Sequence, residues 1–215
     1  MQNNKETALK VAEFLLQIKA IKLSKKESFQ WASGWHSPIY CDNRRTLSFP
    51  KVRTFIRQKY AETIQENFGQ VDVIAGVATG GIAQGALVAQ ELELPFIYVR
   101  SSSKGHGLQN LIEGEVEAGQ RVVVIEDLIS TGMSSLNAVQ ALREKGCHVV
   151  GMVAIFTYNF ELAKNNFQKY KCPLYTLSDY HSLIEVAAEK GYINQEDISS
   201  LKSWREDPAN WKVYV

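Results

Sequence analysis

Apolar positions along this 215-residue chain follow two alternating periods. Leu9, Ala12, Phe14, Leu15, Leu16 and Ile18 recur at helical spacing and predict a helix over residues 7–21. Residues 24–48 lose that period, mixing aromatic and polar side chains around Gly34 and Pro38, and predict short strands and turns in a small lobe. Pro50 opens a second helix with Val52, Phe55, Ile56, Tyr60 and Ile64 on its inner face and Gly69 at its end. Strand Val71–Ala75, helix Gly80–Glu91, strand Phe96–Val99, a polar loop, strand Arg121–Ile125, helix Ser134–Lys145 before Gly146 and strand His148–Ile155 follow. A helix around Glu161–Phe167, a short strand near Pro173–Thr176, a helix Asp179–Lys190 stopped by Gly191 and a last helix from Asn194 through Trp204 complete the pattern. Val122 to Ile125 form a run too short for a helix and rich in β-branching, which fits an interior strand covered on both faces. The alternation predicts an α/β fold, a central and mostly parallel sheet flanked by helices. The expected organisation is residues 1–48 as an N-terminal helix and hood lobe, and residues 49–215 as an α/β core with C-terminal helices, packed as one unit.

Composition removes several classes of function. Hydrophobic residues at 45% and charged residues at 22% exclude a disordered chain. Lys plus Arg number 24 against 23 for Asp plus Glu, so there is no global electrostatic footprint for nucleic acid or an anionic membrane. Cys41, Cys147 and Cys172 form no C-x-x-C pair and are expected as reduced thiols without structural zinc. His36, His106, His148 and His181 show no H-E-x-x-H and no i, i+4 pairing. The amino terminus lacks the apolar core of a signal peptide, and no apolar run approaches the ~18 residues of a membrane span. A cytoplasmic protein without nucleic-acid or membrane partners is expected.

The chemistry concentrates in Val122-Val-Val-Ile-Glu-Asp-Leu-Ile-Ser-Thr-Gly-Met-Ser-Ser135. Glu126 and Asp127 follow the buried run at the carboxyl end of its strand, where open α/β sheets place ligands. Ser130, Thr131 and Gly132 then lead into a helix whose first N–H groups and dipole favour an anion. Carboxylates accept hydrogen bonds from hydroxyls and repel phosphate, so a ligand with hydroxyls at one end and phosphate at the other satisfies both halves. Ribose 5-phosphate is such a ligand. Any βαβ unit can end a strand with acidic residues and cap a helix with Ser or Thr. The absence of G-x-x-x-x-G-K-[ST] and G-x-G-x-x-G takes away the main support for nucleoside triphosphate and dinucleotide readings.

Three further segments bear on that site. Val71-Asp-Val-Ile-Ala-Gly-Val-Ala-Thr-Gly-Gly81 is a second strand ending in a Gly-rich turn, either an anion site or a tight strand-to-helix packing joint. Arg100-Ser-Ser-Ser-Lys-Gly-His-Gly-Leu-Gln-Asn110 has almost no apolar content and reads as a mobile loop carrying Arg100, Lys104 and His106, suited to closing over a pyrophosphate. Phe29 to Arg45 reads as an aromatic hairpin with Trp31, Trp35 and Tyr40 buried by default.

The segment 122–135 resembles the signature of type I phosphoribosyltransferases that binds 5-phosphoribosyl 1-diphosphate (PRPP), with Met133 where the family often has Gly. The order S-G-x-x-S-P-x-Y-x-D-N-R within residues 29–45 and the loop 100–110 resemble the orotate-using members of that family. Lysines found in some relatives would fall at Gly80, Ser101 and Ala32, and His36 replaces a nearby basic residue. The resemblance covers roughly residues 5–206 and implies the type I phosphoribosyltransferase fold with a small N-terminal hood. It implies a pentosyltransferase that moves the 5-phosphoribosyl group of PRPP to N1 of orotate, yielding orotidine 5′-monophosphate and pyrophosphate in pyrimidine synthesis. It places PRPP on Arg100, Lys104, His106, Glu126, Asp127, Leu128, Ile129, Ser130, Thr131, Gly132, Met133 and Ser134, and orotate on Ser130, Tyr40, Arg44 and Tyr158. Lys104, His106 and Asp127 are the implied catalytic residues, Mg²⁺ the cofactor, carried by PRPP oxygens without protein ligands, and a homodimer sharing the loop the implied assembly. Transfer to a purine or another base, and a non-catalytic PRPP-sensing protein of the same fold, remain alternatives.

Overall fold

The computed structural model describes residues 4–24, 28–30, 34, 36–100 and 111–211. Helix α1 (Lys5–Gln17) starts at Asn4, whose side chain accepts from the Thr7 N–H at 3.1 Å, and buries Ala8, Val11, Ala12, Leu15 and Leu16. The small lobe consists of β1 (Ile21–Leu23), β2 (Phe29–Gln30), β3 (His36–Ser37) and β4 (Ile39–Cys41), followed by a 3-10 turn at Asn43–Ser48. β1 pairs antiparallel with β4, and β2 with β3. Helix α2 (Pro50–Phe68) has proline at its first position, where the missing N–H costs no helical hydrogen bond.

Strands and helices then alternate: β5 (Val73–Val77), α3 (Gly80–Leu92), β6 (Phe96–Val99), β7 (Ile112–Glu113), β8 (Arg121–Ile129), α4 (Met133–Glu144), β9 (His148–Thr157), α5 (Glu161–Lys169), β10 (Leu174–Asp179), α6 (Tyr180–Glu189) and α7 (Gln195–Glu206). Among the described residues the main sheet has six strands in the order β10-β9-β8-β5-β6-β7, parallel except at the β7 edge. Alternate residues of the buried strands feed opposite faces. Val123 and Ile125 join Val11, Leu15, Ile56 and Leu183 on one side, while Val122 and Val124 join Leu136, Val139 and Phe167 on the other. Fully burying each such side chain stabilises the fold by about 1.5–3 kcal/mol. The uninterrupted apolar run is therefore what a sheet covered twice requires. α1 packs against α6 and β10, so the first helix contributes to this main core.

Three strands outrun their apolar stretches. β8 continues through Glu126 and Asp127 to Ile129, β9 through Thr157, and β10 through Ser178 and Asp179. The spacing predicts earlier ends at Ile125, Ile155 and Thr176. Backbone pairing sets the real ends: Ile129 stands opposite Thr157 and Asp179 opposite Thr157. β5 likewise starts later than predicted, at Val73, and runs through Gly76 and Val77, which pair with Tyr98 and Val99.

The connection from β5 goes to β6 on one side, whereas β8 leads to β9 on the other, so the order reverses between β5 and β8. A crevice forms at such a switch point beyond the carboxyl ends of the two strands.

Candidate functional site

β8 outlives its neighbour at the crevice. Its register with β5 ends at Gly76 opposite Ile125, while its pairing with β9 continues. Asp127 would lose backbone partners there, and side chains replace them. Its N–H donates to Glu126 Oε1 at 2.9 Å, and its carbonyl accepts from Asn43 Nδ2 at 2.7 Å. The Glu126 carbonyl accepts from the Tyr60 hydroxyl at 2.6 Å.

The two carboxylates occupy different environments. Glu126 is 6% exposed, and its Oε2 accepts from Ser135 Oγ on α4 at 2.7 Å. Burial pushes its carboxyl well above the usual range, and the neighbouring Asp127 charge acts in the same direction. Asp127 is half-buried and faces the crevice mouth beside Arg44. Burial raises its pKa, while the Glu126 hydrogen bond and the Arg44 charge oppose the shift. Glu126 thus braces the turn, and Asp127 has the freer carboxylate.

Beyond the carboxylates, Ile129 is fully buried and Leu128 packs against the core, so only their backbones can reach a ligand. Ser130 and Thr131 are half-buried, and Asn166 Nδ2 donates to the Thr131 carbonyl at 2.9 Å, fixing the turn from behind. Gly132 has φ +79°, a left-handed conformation, and a Cβ there would lie 2.5 Å from the Phe167 ring. Met133 and Ser134 are exposed in the first turn of α4, which has no side-chain cap. Its N–H groups are therefore available to an anion.

α3 opens onto the same crevice, also without a side-chain cap. A Cβ on Gly76 would come within 2.7 Å of the Gly81 carbonyl oxygen, and one on Gly81 within 2.3 Å of the Ile125 carbonyl oxygen. These two glycines let the helix start press onto β5 and β8. Gly80 differs: the atoms within 2.3–2.5 Å of an added Cβ belong to the Asp127 carboxylate. A lysine at this position would occupy the space that carboxylate fills.

The small lobe closes another side. Tyr40 is 40% exposed and lies against Phe29 at a centroid distance of 5.7 Å. Arg44 is exposed and pairs with Asp42 through Nε at 2.7 Å. Tyr158, 2% exposed, is enclosed by Phe156, Phe160 and Trp204, and its hydroxyl pairs with the Cys41 thiol. Trp204 Nε1 donates to the His36 carbonyl at 3.2 Å, tying the lobe to α7. At the opposite wall the Arg100 N–H donates to the Leu111 carbonyl at 2.8 Å, and its guanidinium meets Glu113 at 3.3 Å. Cys41, Cys147 and Cys172 are free thiols.

Lys104, His106 and Ser101, and Trp31, Ala32 and Trp35 of the aromatic segment, lie outside the described residues. The structure brings Arg44, with Tyr40 near it, to Glu126, Asp127 and the turn 128–134 from distant parts of the chain, whereas Tyr158, expected to meet orotate, lies buried behind them against Cys41. Asn43, Tyr60, Ser135 and Asn166 support it and are not among the residues that sequence reasoning singles out. Tyr60 shows only as an apolar helical position, and Asn43 only as the middle of Asp-Asn-Arg. Ser135 and Asn166 carry no separate signal.

The family model for a phosphoribosyl transferase domain matches residues 47–189. The chain is 60% identical over 200 residues to the orotate phosphoribosyltransferase of Bacteroides thetaiotaomicron, covering 93% of this chain and 94% of that one. Among solved structures it resembles orotate phosphoribosyltransferase from Aeropyrum pernix, with a TM-score of 0.74 at 27% identity, covering 86% of this chain and 99% of that one. It also resembles UMP synthase of Leishmania donovani, with a TM-score of 0.79 at 26% identity; 94% of this chain aligns there and spans 42% of that longer one.

Proposed function

Because the chain belongs to the phosphoribosyl transferase family, and within it to the orotate phosphoribosyltransferases, we propose that it transfers the 5-phosphoribosyl group of PRPP to N1 of orotate. The products are orotidine 5′-monophosphate and pyrophosphate, for pyrimidine synthesis. One observation carries the reading within the site: a hydroxyl-accepting carboxylate, Asp127, stands in a crevice onto which two uncapped helix N-termini open.

Displacement at the anomeric carbon builds positive charge on the ribose and negative charge on the leaving pyrophosphate. Asp127 accepts from the ribose hydroxyls and favours the positive ring, with Glu126 as the second acidic residue behind it. The turn from Leu128 and Ile129 through Ser130, Thr131 and Gly132 to Met133 and Ser134 holds the 5′-phosphate by backbone N–H groups and hydroxyls. Arg100, Lys104 and His106 supply positive charge to the pyrophosphate. Arg44 is suited to bind the orotate carboxylate bidentately, Tyr40 offers an exposed ring and Ser130 a half-buried hydroxyl, while Tyr158, enclosed by Phe156, Phe160 and Trp204, backs the base subsite through its contact with Cys41 instead of touching the base.

Mg²⁺ fits this donor set. Asp127 is the available carboxylate, and among the described residues no three His, Cys, Asp or Glu side chains converge as a metal cage. Such a site suits an ion held mainly by phosphate, sugar and water oxygens, and it would neutralise charge on the pyrophosphate. No helix among the described residues is long and apolar enough to cross a membrane. A cytoplasmic homodimer in which Lys104 and His106 serve the partner's PRPP completes the proposal, with residues 1–48 supplying the N-terminal helix, packed on the main core, and the hood lobe over the base.

Pyrophosphate release from PRPP, measured with and without orotate, tests the reading. Orotate-dependent release with stoichiometric orotidine 5′-monophosphate is expected. Release driven equally by a purine base, or no release, would overturn it.

A further inference from the structure

We propose that Asn43, Thr46 and Gln84 are positioning residues of the phosphoribosyl site, a buried polar strut that replaces the missing β5 partner of Asp127 and sets where its carboxylate points. The inference rests on Asp127 as the ribose-binding carboxylate. Past Ile125 the Asp127 carbonyl has no strand partner on the β5 side, and Asn43 takes it at 2.7 Å. Asn43 is 1% exposed, and its Oδ1 accepts from the Cys41 thiol at 3.3 Å, which fixes the orientation of the amide. Behind it, Thr46 Oγ1 donates to the Asn43 carbonyl at 2.6 Å. Having spent its one proton there, Thr46 Oγ1 accepts from Gln84 Nε2 at 3.0 Å. Thr46 is fully buried, and Gln84 is 2% exposed on α3, one turn beyond Gly80.

This series connects three walls of the crevice. It starts on the helix that opens against the Asp127 carboxylate at Gly80, crosses the 3-10 turn that carries Arg44, and ends on the backbone of Asp127. Among the described residues Gln84 Oε1 has no partner, so the side chain holds its place at a cost that an apolar residue of similar volume would avoid. Three buried polar groups in series make sense as an alignment device rather than as core. Breaking the series frees the Asp127 peptide to rotate, which moves the carboxylate away from the hydroxyls it receives.

Steady-state kinetics and thermal unfolding of Asn43→Ala, Thr46→Val, Thr46→Ser and Gln84→Leu provide the test. Asn43→Ala and Thr46→Val are expected to raise KM for PRPP about tenfold with kcat within about twofold, because the lost interaction is one of binding geometry. Thr46→Ser keeps the hydroxyl and should restore wild-type KM. Gln84→Leu, at the far end and close in volume, should raise KM about threefold and keeps the test available if Asn43→Ala does not fold. Ser178→Ala removes a buried hydrogen bond to the Ala8 carbonyl and serves as the comparison for stability loss alone. If the strut variants lower Tm as Ser178→Ala does while KM for PRPP stays at wild type, the proposal is wrong. An unchanged KM in Asp127→Asn would instead remove the ribose reading beneath it.

Discussion

The β8–α4 and β5–α3 turns face each other across the switch point and share one plan: parallel strand, tight turn, uncapped helix. They are shaped by opposite means. The β8–α4 turn is held by side-chain hydrogen bonds: Glu126 to Ser135 and to the Asp127 N–H, Tyr60 and Asn43 to backbone carbonyls, and Asn166 from behind. The β5–α3 turn is shaped by the absence of side chains, since Gly76 and Gly81 touch backbone where any Cβ would collide. On the proposed reading, ligand chemistry in the first turn rests on side chains as well as N–H groups, and in the second on N–H groups alone. Glycines that permit close packing also expose those N–H groups, so packing and binding do not compete at the second turn.

Four substitutions probe this contrast, the largest effect first. Asp127→Asn is expected to reduce kcat/KM for PRPP by about 100-fold, since charge-assisted hydrogen bonds are worth roughly 1.5–3 kcal/mol and about 1.36 kcal/mol is a decade. Near-wild-type efficiency would leave the first turn without its functional side chain. Gly81→Ala drives a Cβ into the Ile125 carbonyl and should destabilise by about 2–3 kcal/mol in urea unfolding. Gly80→Ala meets first the Asp127 carboxylate, the end of a side chain that can turn aside; we expect stability within about 0.5 kcal/mol of wild type and PRPP affinity reduced several-fold. Equal destabilisation by these neighbouring substitutions would erase the distinction between packing glycine and site glycine.

The smallest effect depends on pH. Glu126 has a folded pKa raised by burial, so its contribution to stability is full below the ordinary carboxyl value of 4.5 and is lost as pH rises through the folded pKa. Glu126→Gln does not ionise, so its urea midpoint relative to wild type should climb across that window. Parallel midpoints at all pH values would show that Glu126 ionises as easily in the folded chain as in the unfolded one.

The contrast explains what could be read beforehand. Val122 to Ile125, both carboxylates and the hydroxyl-rich turn form one contiguous segment, and local spacing suffices to put them in order. The role of Gly80 could not be read, because its neighbour is the Asp127 carboxylate, 47 positions away. Strand ends were also hidden. Polar residues such as Glu126, Thr157 and Ser178 break the apolar run while backbone pairing continues. In the small lobe, strands of two or three residues have no period to detect, so only a lobe of turns was visible.

By itself the sequence determined the alternating α/β plan, the buried centre of each strand and the segment that carries the carboxylates, because these depend on periodicity and composition over a few residues. Only the tertiary structure shows which carboxylate is braced by α4 and which lies against Gly80, which glycine packs on backbone and which on a carboxylate, and that Asn43, Thr46 and Gln84 are joined in one hydrogen-bonded series. Those outcomes follow from where β5 stops beside β8. That end point is set by pairing between distant segments, and no local pattern encodes it.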